Sequence, residues 1–129
     1  MTPDSIFIKK TDYTPEIIID SEKKIFEISG RSLPEEVMDV YKSVLEWVDK
    51  HAGILIAENY KVTINLFYFN SPSARVIHKI LKTLESNYSG QEGFSVHWHY
   101  ENEEELEDAK DLVDEIKLPF TFVKTEDEG

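Results

Sequence analysis

Asn70-Ser71-Pro72-Ser73 is the stretch of this chain best suited to chemistry, with two hydroxyls where an apolar strand pattern gives way to a helical one. A serine N-cap followed by proline at the first helical position is a favoured way to open a helix, because the hydroxyl caps free amides and proline there loses no hydrogen bond. The first amides of a helix lack internal partners and form a positive tip where an anion is stabilised. A phosphoryl group on Ser71, with Ser73 as the fallback acceptor, would bring roughly −1.5 to −2 charge units and three acceptor oxygens to that tip. Arg75 follows about one turn later, within reach of the same oxygens. Asn70, Pro72 and Arg75 are therefore candidate partner-contacting residues around a candidate phosphorylation site. On residue physics alone the plainer reading stands first: serine caps are common, and few are phosphorylated.

Other constellations weigh less. Gly30-Arg31-Ser32 stands at the mouth of a helical pattern, with Gly30 suited to a positive φ and Arg31 to a carboxylate or phosphate. A glycine turn with a solvated arginine accounts for the same residues equally well. His97 and His99, two apart, share one face of a strand, which fits a metal pair or an acid/base enzyme built with nearby acids. The chain has no cysteine, and His51 and His78 fall on helices, so structural or surface histidines are the stronger expectation. The acids Glu101, Glu103, Glu104, Glu105, Glu107 and Asp108 read as a solvated helix face with a dipole-favoured start. Phosphate-binding loops, dinucleotide fingerprints and nucleophile motifs are missing from the sequence, so no cofactor and no enzyme are expected.

The elements that must position these residues follow from patterning. At 129 residues, 40% hydrophobic and 31% charged, the chain has the size and composition of one globular domain, 1–129, with a flexible acidic tail at 125–129. The net charge of −12 disfavours nucleic acid and anionic membranes and steers a basic protein partner inward. With no transmembrane-length apolar run and no signal-peptide layout, a cytoplasmic protein is expected.

Residues 5–9 read as a short edge strand, 16–20 and 25–28 as a hairpin ended by Gly30-Arg31-Ser32, and 61–69 as a central strand. Val37, Val40, Tyr41, Val44, Leu45 and Val48 share one helical face, in a helix entered through Pro34 and ending near His51-Ala52-Gly53. A second helix buries Val76, Ile77, Ile80, Leu81 and Leu84, and a third carries Leu106, Ala109, Val113 and Ile116. Residues 94–100 alternate with Trp98 and Tyr100 toward the core, and 119–123 close the chain as a last strand. The order is β-β-β-α-β-α-β-α-β, an α/β fold with a mixed β-sheet and helices packed on it. Sites on such sheets gather beyond the carboxyl ends of parallel strands, where the 70–73 turn lies.

Several stretches together resemble the SiaC family of bacterial regulatory phosphoproteins: Thr14-Pro15 with Asp20, Ile28 to Glu35, Tyr68-Phe69-Asn70-Ser71-Pro72-Ser73, His97-Trp98-His99-Tyr100 and Leu118-Pro119-Phe120. They cover nearly the whole chain in order. The resemblance implies a STAS-like, anti-sigma-factor-antagonist-like fold. It also implies a cognate Ser/Thr protein kinase that modifies a hydroxyl in the strand-to-helix turn, and a PP2C-type phosphatase that reverses it. The unphosphorylated form would bind a diguanylate cyclase and promote cyclic-di-GMP synthesis. The family's phosphorylated threonine falls on Ser71, and Pro72 replaces a small hydroxylated residue, stiffening the loop that a kinase must engage. The same match draws Gly30, Arg31 and Ser32 into the expected partner surface. A constitutive adaptor that is never phosphorylated is the further alternative.

Overall fold

The computed structural model describes residues 3–125; the expected tail, apart from Thr125, lies outside the described residues. Six strands and three helices follow in the expected order: β1 (Ile6–Ile8), β2 (Glu16–Asp20), β3 (Ile25–Ser32), α1 (Val37–Ala57), β4 (Lys61–Phe69), α2 (Ser71–Asn87), β5 (Val96–Tyr100), α3 (Glu103–Val113) and β6 (Phe120–Lys124). They build one mixed sheet in which the spatial order equals the sequence order, β1-β2-β3-β4-β5-β6. The first two pairings are antiparallel and the last three parallel.

This topology decides where the helices go. Each crossover moves one strand further in the same direction, and right-handed crossovers of that kind lay their helices on a single face. Burial agrees. Ile17, Ile19, Phe26, Ile28, Val62, Ile64, Val96 and Trp98 all point to one side and are at most 2% exposed. Their neighbours Ile18, Glu27, Thr63, His97 and Thr121 point to the other side and remain half-buried or exposed. The fold has two layers, with one sheet face under helices and the other open. Among the described residues, no helix is long and apolar enough to cross a membrane.

Four boundaries differ from expectation. β3 does not end before Gly30-Arg31-Ser32 but runs through them, pairing Arg31 with Tyr68 and Ser32 with Phe69 after a register shift at Gly30/Arg31. The extra residue of that bulge is Phe67 on β4, and Gly30 opposite it holds a φ of 106° that a side chain would strain. α1 begins at Val37, since Glu36 is still extended at φ −116° and ψ 93°. It then continues past Gly53 to Ala57 because Ala52, Leu55 and Ile56 prolong the buried stripe while Gly53 sits on the exposed side. α3 stops at Val113, and Ile116 is buried in the turn that follows it.

Candidate functional site

The 70–73 turn joins the C-terminal end of β4 to α2, and Asn70, not Ser71, caps the helix. Asn70 is extended (φ −86°, ψ 173°), and its side-chain oxygen accepts the Ser73 N–H at 3.0 Å. Both residue types cap well, and tertiary bonds decide between them. The Asn70 N–H donates to the Ser32 carbonyl at 3.0 Å, and its side-chain amide donates to the Pro34 carbonyl at 3.2 Å. Asn70 thus ties the turn to the end of β3 and to the entrance of α1. Ser71 moves to the first helical position and Pro72 to the second. This placement removes donors that were expected to serve an anion, because Pro72 has no N–H and the Ser73 N–H is already taken. What remains near Ser71 is the helix dipole and Arg75, exposed one turn along the same helix face.

The two candidate hydroxyls have opposite environments. Ser71 is exposed. Ser73 is 0% exposed, as is Ser32. The Ser73 hydroxyl donates to the Ser32 carbonyl at 3.0 Å and accepts from the Ser32 hydroxyl at 2.7 Å. With its single hydrogen committed, the Ser32 hydroxyl must accept from the Tyr41 hydroxyl, 2.7 Å away. A buried chain Tyr41→Ser32→Ser73 therefore stitches α1, β3 and α2 together beneath the turn. Burial pushes the Tyr41 pKa up to about 12 against a smaller opposing effect of the Ser32 bond, which keeps its donor proton in place. Sequence reasoning placed Tyr41 in the apolar stripe and did not detect this role. The one available signal was a hydroxyl-bearing side chain among valines.

These positions recast two expectations. Ser32 presents no side chain to a partner, and Ser73 is closed to a kinase while the fold is intact. Strand alternation separates Ser32 from Arg31. Arg31 emerges on the open sheet face with its guanidinium 5.7 Å from the ring centroid of Tyr68, a cation–π contact on a tyrosine that is 62% exposed. Arg31 and Arg75 accordingly flank the turn from opposite sides of the sheet.

Two depressions lie beside the turn. A cleft of about 590 Å³ opens between the 11–14 segment and the start of α1, lined by Tyr13, Leu33, Pro34, Glu35, Asp39 and Val40 among others. The Asn70–Pro34 bond connects it to the turn. A groove of about 520 Å³ between α2 and α3 is lined by Ala74, Arg75, His78, Asp111 and Leu112. Replacing the cap, Asn70→Ala, removes the bond to Ser73 and the tie to Pro34 together. It is expected to cost about 1–2 kcal/mol of stability, read as a lower urea midpoint at unchanged slope.

His97 and His99 lie half-buried on the open sheet face. Burial first, then His97 and Lys61, holds His99 below the usual histidine range. Among the described residues, no three His, Asp or Glu side chains are grouped to hold a metal ion. The acidic start of α3 is a capping arrangement: Asn102 accepts the Glu105 N–H at 2.9 Å and donates to the Glu105 carboxylate at 3.0 Å.

Comparison with known proteins gives one consistent picture. A family model described as SiaC family regulatory phosphoprotein matches residues 8–125. An uncharacterized protein of Pseudomonas aeruginosa (strain UCBPP-PA14) is 27% identical over 122 residues, spanning 91% of this chain and 94% of that one. Crystallographic apo-SiaC from Pseudomonas aeruginosa superposes with a TM-score of 0.79 at 25% identity, covering 93% of this chain and 98% of that one. A chain of the crystal structure of the diguanylate cyclase SiaD in complex with its activator SiaC, from the same organism, gives 0.80 at 26% identity, covering 93% and 99%.

Proposed function

The chain belongs to the SiaC family of regulatory phosphoproteins, and from that premise we propose that it is a non-enzymatic cytoplasmic signalling protein switched by phosphorylation of Ser71. In its unphosphorylated form it binds and activates a diguanylate cyclase through the 70–73 turn, the exposed side of α2 and the Arg75 groove. A cognate Ser/Thr protein kinase closes the switch and a PP2C-type phosphatase reopens it.

One observation carries this reading: Ser71 is exposed on a turn that is otherwise rigidly held, by Asn70 on one side and the buried Ser73 on the other. A rigid, accessible hydroxyl can be modified without unfolding its surroundings, and the added charge is delivered to a fixed place on the surface. Two effects then act together on a docked partner. The phosphate imposes repulsion and desolvation, and it draws the Arg75 guanidinium into a charge-assisted pair, withdrawing that cation from the partner. The complex of a cyclase with a similar protein supports the partner class.

Intact mass after incubation with the kinase tests the switch directly. The chain is expected to gain one phosphate, to fail to do so as Ser71→Ala, and to lose it again with the phosphatase. A wild-type mass that stays unchanged would leave a constitutive adaptor in place of a switch.

A further inference from the structure

The open face of the sheet carries its own complement. Cross-strand register sets Phe7, Ile18, Glu27, Thr63, His97 and Thr121 side by side in one row, from β1 to β6. Glu27 and His97 are the immediate neighbours of Thr63, one on each side. Among the described residues, neither side chain is held in a hydrogen bond or an ion pair, and both are half-buried.

We propose that this face binds a second copy of the same chain, sheet against sheet, about a two-fold axis running along β4 over Thr63. Such an axis exchanges the strands on either side of β4. It lays Glu27 of each copy against His97 of the other, Thr63 against Thr63, and Ile18 against Thr121. The contact is isologous and closes at two copies. Face-packed sheets sit roughly 10 Å apart, a gap that a glutamate and a histidine span together. The pair is matched in either state of the ring, since a carboxylate accepts from a neutral imidazole N–H as well as from an imidazolium. Phe7, 67% exposed at the far end of the row, then overhangs the free edge of β6 on the other copy and shields it from further strand pairing.

Size and charge set the strength. Five strands about 4.8 Å apart and about 17 Å long give a footprint of roughly 400 Å² per copy, about half that of a standard specific interface and in the range of weak, transient contacts. Two chains of net charge −12 repel at long range, but the Debye length is about 8 Å at physiological salt. The short-range pairs therefore decide the geometry, and the Lys61 side chains, set on the same axis at the exposed start of β4, must splay apart into solvent. The dimer is weak, as contacts of this size are. It leaves the 70–73 turn free, because α2 lies on the other face of the sheet, so it is independent of the phosphorylation reading.

The two-fold axis makes a specific demand on charge-reversal variants. In a Glu27→Arg homodimer the introduced arginine would face His97 at both contacts. In a His97→Glu homodimer the introduced glutamate would face Glu27 at both. His97→Glu alone is therefore expected to sediment as a monomer where the wild type associates, and Glu27→Arg alone, which loses the carboxylate acceptor at both contacts, to associate more weakly than the wild type. Mixed in equal amounts, the introduced arginine of one chain meets the introduced glutamate of the other, and the second contact stays Glu27 with His97. The mixture is expected to recover the dimer, with at least about tenfold tighter association than either variant alone. Circular dichroism on each variant checks that the fold is intact. A wild type that remains monomeric up to millimolar concentration overturns the proposal. So does a dimer indifferent to both substitutions, or a mixture no tighter than its components.

Discussion

Ser71→Asp is expected to bind a diguanylate cyclase about 10- to 100-fold more weakly than the wild type, while Ser71→Ala binds as the wild type does. The size follows from placing one unpaired charge at a partly desolvated contact, worth about 1.5–3 kcal/mol at roughly 1.4 kcal/mol per factor of ten. Phosphoserine carries more charge and reaches further, so its effect should exceed that of aspartate. The variant also separates two explanations that most substitutions confuse. An aspartate in the first turn of α2 interacts favourably with the helix dipole, by about 0.3–1 kcal/mol. Ser71→Asp should therefore be as stable as the wild type, or slightly more so, while binding less well. A titration of the cyclase beside a urea curve on each variant reads both quantities. Equal affinity of the alanine and aspartate variants would count decisively against a charge switch at this residue.

Much of this could be read from patterning alone, and the parts that could not share a cause. The β2 strand at residues 16–20 and the order of all nine elements follow from alternation and helical spacing, which are local signals. So does the placement of the turn after Phe69. The identity of the cap does not, because Asn70 and Ser71 are both good capping residues. The choice is made by the Ser32 and Pro34 carbonyls, more than thirty residues away in sequence. Gly30-Arg31-Ser32 looked like a strand end because glycine usually stops a strand. Here the bulge is on β4, at Phe67, and the two residues after Gly30 continue the pairing on opposite faces. The open sheet face is a consequence of topology: it requires knowing that every crossover advances in the same direction. The hydroxyl chain is the extreme case, since residues 32, 41 and 73 become neighbours only when β3, α1 and α2 meet.

That chain makes Ser73→Asp the most damaging single change expected near the site. The Ser73 side chain has no exposure and two hydroxyl-class bonds, one donated to the Ser32 carbonyl and one accepted from the Ser32 hydroxyl. A carboxylate there cannot donate, so it would face the Ser32 carbonyl with like partial charge. The penalty for a buried, unpaired charge is several kcal/mol, against a total stability of about 5–15 kcal/mol for a domain of this kind. Ser73→Ala, which only removes the bonds, should cost about 1–3 kcal/mol, and Tyr41→Phe less, since its hydroxyl is the terminal donor. Measured together, Ser73→Ala and Tyr41→Phe should be non-additive, because both act through the Ser32 hydroxyl. The contrast with Ser71 is then physical: one hydroxyl accepts a charge at the surface, and its neighbour two residues on cannot accept one without opening the core. A Ser73→Asp protein that folds with wild-type stability and loses cyclase binding would reverse that assignment and make residue 73 the switch.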